Sequence, residues 1–174
     1  MPLPDRSRNA GDHAPGLHDA LCAHGFVHRE PDSVMIGEAR AMAVDVPLPG
    51  GVTLRESHEE ANLRATAMVQ RGVSGEGDPD EVLAALLRRQ SRRDGMELWV
   101  AEGGGRIVCA GRLEPVVDSE FAGLWGAATV PEWRGRGLYR ALTGAHARSA
   151  LRAGKTLVHS DSRQYVWHRP AGDG

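Results

Sequence analysis

Cysteine is scarce: Cys22 and Cys109 are the only two among 174 residues. Two thiols make no disulfide framework, so a reducing cytoplasm is the expected setting. Long apolar runs are missing as well, and the opening Met-Pro-Leu-Pro-Asp-Arg has no apolar signal core. Neither a membrane span nor a membrane partner is expected. Charge of one sign is also lacking. A formal net charge of −2 gives no support for general nucleic-acid binding, although arginines cluster locally. No solenoid repeat is present, and the length suits one domain with a real core.

What the chain does have is Ala127 to Leu142, reading A-A-T-V-P-E-W-R-G-R-G-L-Y-R-A-L. A small and β-branched run breaks at Pro131, crosses an Arg/Gly segment and leaves as an apolar-periodic helix. Glycines let the main chain approach a ligand, and the loop runs directly into a helix N-terminus. Unpaired amides and the positive end of the helix dipole converge there, a setting for phosphate or pyrophosphate. Arg134 and Arg136 add fixed charge with fork geometry. A P-loop is excluded, because Leu138 and Tyr139 follow Gly137 where Lys and Ser or Thr are needed. A dinucleotide fingerprint is excluded too, because Arg140 stands where its third glycine belongs.

Val130 to Leu138, V-P-E-W-R-G-R-G-L, resembles the coenzyme A loop of the GNAT superfamily of acyl-CoA-dependent N-acyltransferases. Arg134 and Gly137 match its first two fixed positions, while Tyr139 stands where a small residue is usual. The resemblance implies an α+β fold, with a mixed central sheet, two splayed parallel strands and helices on both faces. It implies acetyl-CoA as co-substrate, a small-molecule or peptide amine as acceptor, and no metal. Thr129 and Val130 would offer main-chain bonds to pantetheine. Arg134, Gly135, Arg136, Gly137, Leu138, Tyr139 and Arg140 would wrap the pyrophosphate. The thioester would lie between the middle of Phe121–Val130 and the start of Thr156–Ser160.

In the family an amine attacks the thioester directly, often with a strand carboxylate acting as base through water. Leu124, Trp125 and Gly126 occupy that place here, and none is a base. Glu114 and Glu120 are expected nearer the other end of the hairpin, facing solvent. His159 and Ser160 end the last strand within reach of the thioester. Strand-end residues bonded to backbone are the alternative reading of both. Tyr165 is the candidate for protonating the departing thiolate.

In chain order, residues 1–16 have little to bury and are expected to form a disordered tail. Residues 17–50 read as a helix–strand–strand extension and linker. The helix covers Leu17–Ala23, the strands Phe26-Val27 and Ser33–Ile36, and the linker Ala39 to Gly51. Cys22, His24 and His28 have ligand chemistry but no fourth partner, so surface histidines and a buried thiol are expected. Residues 51–174 read as the GNAT-like acyl-CoA-binding domain, opening on a strand at Val52–Arg55. Ser57 and Glu60 make a capping box for a helix through Gln70, with Ala61, Ala65, Met68 and Val69 on one face. A loop, Gly72 to Gly77, precedes a helix capped by Asp78, with a Val82, Leu83, Leu86 and Leu87 stripe and a solvated basic end, Arg88 to Arg93.

Strands Glu97–Glu102 and Arg106–Glu114 flank a glycine turn. Strand Phe121–Val130 follows, then a helix over Gly135–Ala153 with Arg140, Arg148 and Arg152 in an exposed stripe. Thr156–Ser160 is a strand parallel to Phe121–Val130. The chain then reads R-Q-Y-V-W-H-R-P and ends soon after, where the family continues with a helix and two strands. Three arrangements fit that ending. The N-terminal extension fills the gap, or a homodimer pairs through the incomplete C-terminal sheet edge. In the third, the protein is a shortened, non-catalytic acyl-CoA-binding or interaction protein.

Overall fold

A computed structural model of the chain describes residues 14–27, 32–75 and 77–163. Most of the expected tail, His28 and Tyr165 lie outside these residues. The chain divides into two compact units, Val34–Ser162 and one made of Met1–Ser33 with Arg163–Gly174. In the latter, helix α1 (Leu17–Ala23) stops at His24, as the His-Gly pair predicts. The helix buries none of its side chains, so Cys22 is exposed rather than buried. Phe26-Val27 is irregular and not a strand.

The main unit is built on a six-stranded mixed sheet of order β1-β6-β5-β4-β3-β2. Strand β1 (Asp32–Glu38) runs into a one-turn helix, α2 (Ala39–Met42), where composition suggests linker. Tertiary packing makes the difference. Ala39 is wholly buried in a cluster with Leu113, Ala122, Ala150 and Val158, and its N–H donates to Thr156 O at 2.8 Å. That bond pins the end of β1 at the start of β6 (Leu157–Arg163).

Strand β2 (Val52–Ser57) pairs antiparallel with β3 (Glu97–Gly103), and β3 with β4 (Arg106–Pro115) across the glycine turn. Helix α3 spans Glu60–Ser74 and ends at left-handed Gly75, so the expected loop from Gly72 begins later. Ser57 does not cap it. The residue is held in the β2 ladder opposite Leu98, and its Oγ accepts from the Glu59 N–H and from Asn62 Nδ2. The buried face is Asn62, Leu63, Thr66, Ala67 and Val69, while Ala61 and Met68 are exposed. Polar Thr66 sits inside because its hydroxyl donates to Asn62 O at 2.8 Å.

Helix α4 (Pro79–Gln90) starts as its sequence predicts, with Asp78 Oδ1 accepting from Asp80 N–H and Pro79 in the first turn. Leu83 and Leu86 join Leu63, Ala67, Leu98 and Val100 in the core on that face. Its basic end is not all solvated. Arg89 is largely buried, pairing with Asp94 and, at 2.7 Å, with Glu114, which also accepts from Arg112 at 3.0 Å. Glu114 is thus an internal counter-ion and not a solvent-facing residue. Glu114→Gln should cost about 2 kcal/mol of unfolding free energy, because two guanidinium groups lose their shared charge. A urea midpoint within error of the parent would show that the triad contributes nothing.

Helix α5 (Leu138–Arg152) covers the other face, burying Leu138, Leu142, Ala145 and Ala150. Gly144 lets the main chain after α2 lie against it, since a Cβ there would sit 2.4 Å from Val44 O. Arg148 donates to that same carbonyl at 2.9 Å, so this member of the stripe, its side chain still 39% exposed, also ties α5 to the segment after α2.

Candidate functional site

Strands β5 (Phe121–Thr129) and β6 are parallel and share three rungs, Phe121↔Leu157, Ala122↔Val158 and Gly123↔His159. From Leu124 onward β5 pairs with β4 alone, ending on Ala128↔Ala110 and Thr129↔Cys109. The parallel pair has parted. A bulge on β5 bends it away, at Gly126, whose φ is 59°. A Cβ there would lie 2.4 Å from Gln70 Nε2 and 2.9 Å from Arg112 Nη1, so only glycine fits. Beyond the bulge, the Val130 N–H donates to Val108 O at 3.0 Å. That makes Thr129↔Cys109 a non-hydrogen-bonded pair, and the main-chain groups of Thr129 point away from β4, on the side of the gap.

A 3₁₀ turn (Pro131–Trp133) then leads through Arg134–Gly137 into α5. The helix starts three residues after its expected Gly135, because Gly135 and Gly137 adopt left-handed φ values of 72° and 83°. Its first backbone bond runs from the Ala141 N–H to Gly137 O, so the amides of Leu138, Tyr139 and Arg140 have no intrahelical acceptor. Gly135 faces open space. Leu138 is buried with Val108, Cys109 and Leu142, and it anchors the corner while its amide stays outside. The corner is open, and the helix dipole adds to its positive character.

The named loop residues divide by what already holds them. Arg134 is exposed and its Nε donates to Thr129 O at 3.2 Å, and Arg136 lies over the Trp133 ring at 4.8 Å. Tyr139 and Arg140 are exposed. Val130 has both main-chain groups engaged, since its carbonyl accepts from the Trp133 N–H. Thr129 donates its hydroxyl to Cys109 Sγ at 3.2 Å. Burial pushes the Cys109 thiol above its ordinary pKa, with the Thr129 bond opposing, so this cysteine is no ready nucleophile.

His159 stands at the parting point, opposite Gly123. Its ring meets Phe121 edge-on at 6.0 Å and Trp125 at 5.5 Å. The Trp125 indole lies across Gly123, where a Cβ would come 2.2 Å from Nε1. Ser160 is next in the strand and so faces the opposite side, its Oγ 3.4 Å from Asp161 O. The structure does not bring His159 and Ser160 together. Glu120 accepts from Thr156 Oγ1 at the closed end of the strand pair. Read from sequence, Trp125 is only a place where a base is missing. The signal for its role as a wall is Gly123 two residues earlier on the same strand face.

Among the described residues, no three His, Cys, Asp or Glu side chains are grouped to hold a metal ion, and no helix is long and apolar enough to cross a membrane.

No protein-family model and no curated protein matches the chain. Solved structures do. A GCN5-related N-acetyltransferase from Kribbella flavida superposes with a TM-score of 0.61 at 18% identity, covering 85% of this chain and 54% of that one. A tandem GNAT protein from the clavulanic acid biosynthesis pathway gives 0.62 at 15%, covering 91% and 53%. A predicted acetyltransferase from Clostridium acetobutylicum, solved with acetyl-CoA, gives 0.53 at 12%, covering 66% and 82%. The chain spans about half the length of the first two. Its fold is that of the GCN5-related N-acetyltransferases, an α+β fold on a mixed sheet.

Proposed function

We propose that the chain is a cytoplasmic acyl-CoA-dependent N-acyltransferase that uses acetyl-CoA to acylate a primary amine. One observation carries this reading: a parallel strand pair that parts after three rungs opens beside a loop with bare amides. A long ligand ending in a diphosphate finds there a slot for its arm and a nest for its charge. Bound acetyl-CoA supplies an activated thioester, on which an amine forms the C–N bond as the C–S bond breaks and the thiol leaves.

The chain's own share is binding, orientation and proton handling. The amides of Gly135 to Arg140 and the Arg134 guanidinium would hold the diphosphate at the α5 N-terminus. The main chain of Thr129 lines the arm. Phe121 and Trp125 keep water from the parting point and hold the His159 ring, whose free nitrogen takes the proton shed by the amine. Ser160 has no part on that face.

Isothermal titration with acetyl-CoA, followed by free-thiol release over an amine panel, tests the assignment; absence of binding removes it. His159→Ala should lower kcat about a hundredfold while acetyl-CoA affinity holds within about twofold. An unchanged kcat would take His159 out of the reaction. A second reading, a non-catalytic acyl-CoA-binding or interaction protein, is favoured by the carboxylates. Strand β5 has none, and Glu114 on β4 is committed to Arg89 and Arg112. Acetyl-CoA binding without amine-dependent thiol release would select it.

A further inference from the structure

We infer that the acceptor amine carries an apolar body, an aryl or alkyl group, lying on the face of β5, β6 and β1 that carries His159; this rests on the acyl-transfer reading above. Packing defines that face. Ala122 and Val158 cluster with Ala150 of α5 and Met42 of α2. Their strand neighbours Phe121, Gly123, Trp125 and His159 therefore point to the opposite side of the sheet. On β1, a Cβ on Gly37 would lie 2.9 Å from Met42 Sδ, so Gly37 faces α2 while Val34 and Ile36 face the other way. Helices α3 and α4 pack over β3, β4 and β5 on that side. Val34 and Ile36 are left 51% and 61% exposed.

The result is an apolar strip, with aromatic rings on β5 at one edge and two aliphatic side chains on β1 at the other. His159 lies between, on β6. Two strand spacings make the strip about 10 Å wide, the length of an arylalkyl amine. A protein partner needs roughly 800 Å² on each side, more than three short strands present. A ligand on the strip has its amine at the gap, because the strip begins where β5 and β6 part. Exposed Glu38 and Asp161, on the faces of Ile36 and His159, give the rim a charge that suits an incoming ammonium. A sugar or polyamine would lay polar groups over Phe121, Val34 and Ile36, which offer them no hydrogen bond.

Steady-state thiol release with 4-phenylbutylamine, tryptamine, putrescine and ethanolamine tests this. The two aryl amines should have kcat/KM at least about tenfold above the other two. Val34→Asn with Ile36→Asn, at exposed positions, should raise KM for 4-phenylbutylamine about tenfold, with acetyl-CoA affinity and KM for ethanolamine unmoved. Equal kcat/KM for all four amines, or kinetics indifferent to the double variant, overturns the inference and leaves the acyl-transfer reading standing. Acetyl-CoA binding without thiol release from any amine overturns it as well. No acetyl-CoA binding overturns both. Light scattering on the same samples covers the remaining occupant: a dimer that the double variant dissociates, with amine kinetics unchanged, gives the strip to a second copy of the chain.

Discussion

Arg134→Ala combined with Gly137→Glu should weaken acetyl-CoA binding about a thousandfold and leave the protein folded. Removing the guanidinium takes away charge-assisted hydrogen bonds worth about 2 kcal/mol. Gly137 sits at φ 83°, where any residue with a Cβ costs about 1–2 kcal/mol, and the new carboxylate stands in a site arranged for an anion. The fold is expected to survive for two reasons. A Cβ at Gly137 meets only Val46 Cγ1 at 3.5 Å, an ordinary contact, and buried Leu138 and Leu142 keep α5 seated. Titration calorimetry and circular dichroism on the same preparation decide it. Unchanged affinity in a folded variant would move the nucleotide end of the ligand away from this corner.

Acid should destabilise the protein by about 3 kcal/mol between pH 6.5 and pH 4, through His146 on α5. Its ring is 2% exposed, meets the Trp99 ring edge-on at 6.4 Å, and has Nε2 without a hydrogen-bond partner. Burial lowers its pKa from 6.5 to about 4, against a raising contribution from the Gly111 backbone. The unfolded chain therefore takes up the proton first as pH falls. The stability is whole above pH 6.5 and is lost progressively toward pH 4. Urea midpoints at pH 7.5 and pH 4.5 read the loss, and His146→Leu should flatten that dependence. A His146→Leu protein with the parent's acid slope would assign the slope to other groups.

Those two sites differ in how far sequence reaches. The corner at Arg134–Gly137 is legible because its determinants are local: a proline break, two glycines, then apolar residues at helical spacing. The Asp78-Pro79 helix start and the glycine hairpin are legible for the same reason. Ala39 shows the opposite case. Nothing near it in sequence says that it is buried, because the residues burying it come from β4, β5, α5 and β6. Arg89 reads as one cation in a basic run, and only the fold supplies Glu114 and Asp94. The α3 face is misjudged by one position because Asn62 and Thr66 look too polar to bury. At the parting point, His159 is legible as a candidate, but its aromatic walls require the register of β5 against β6.

The contact of Ala39 with Thr156 joins segments from opposite ends of the described chain. On the ribosome, β1 emerges early and has no neighbour until β6 has been made. The β3–β4 and β4–β5 pairs close through short turns, whereas the outer pair waits for a distant partner and is expected to form last. Until then Val34 and Ile36 ride on a strand with an unsatisfied edge, which makes the nascent chain vulnerable to self-association. Expression at low temperature or with added chaperone should therefore improve yield more than any change to the loop residues.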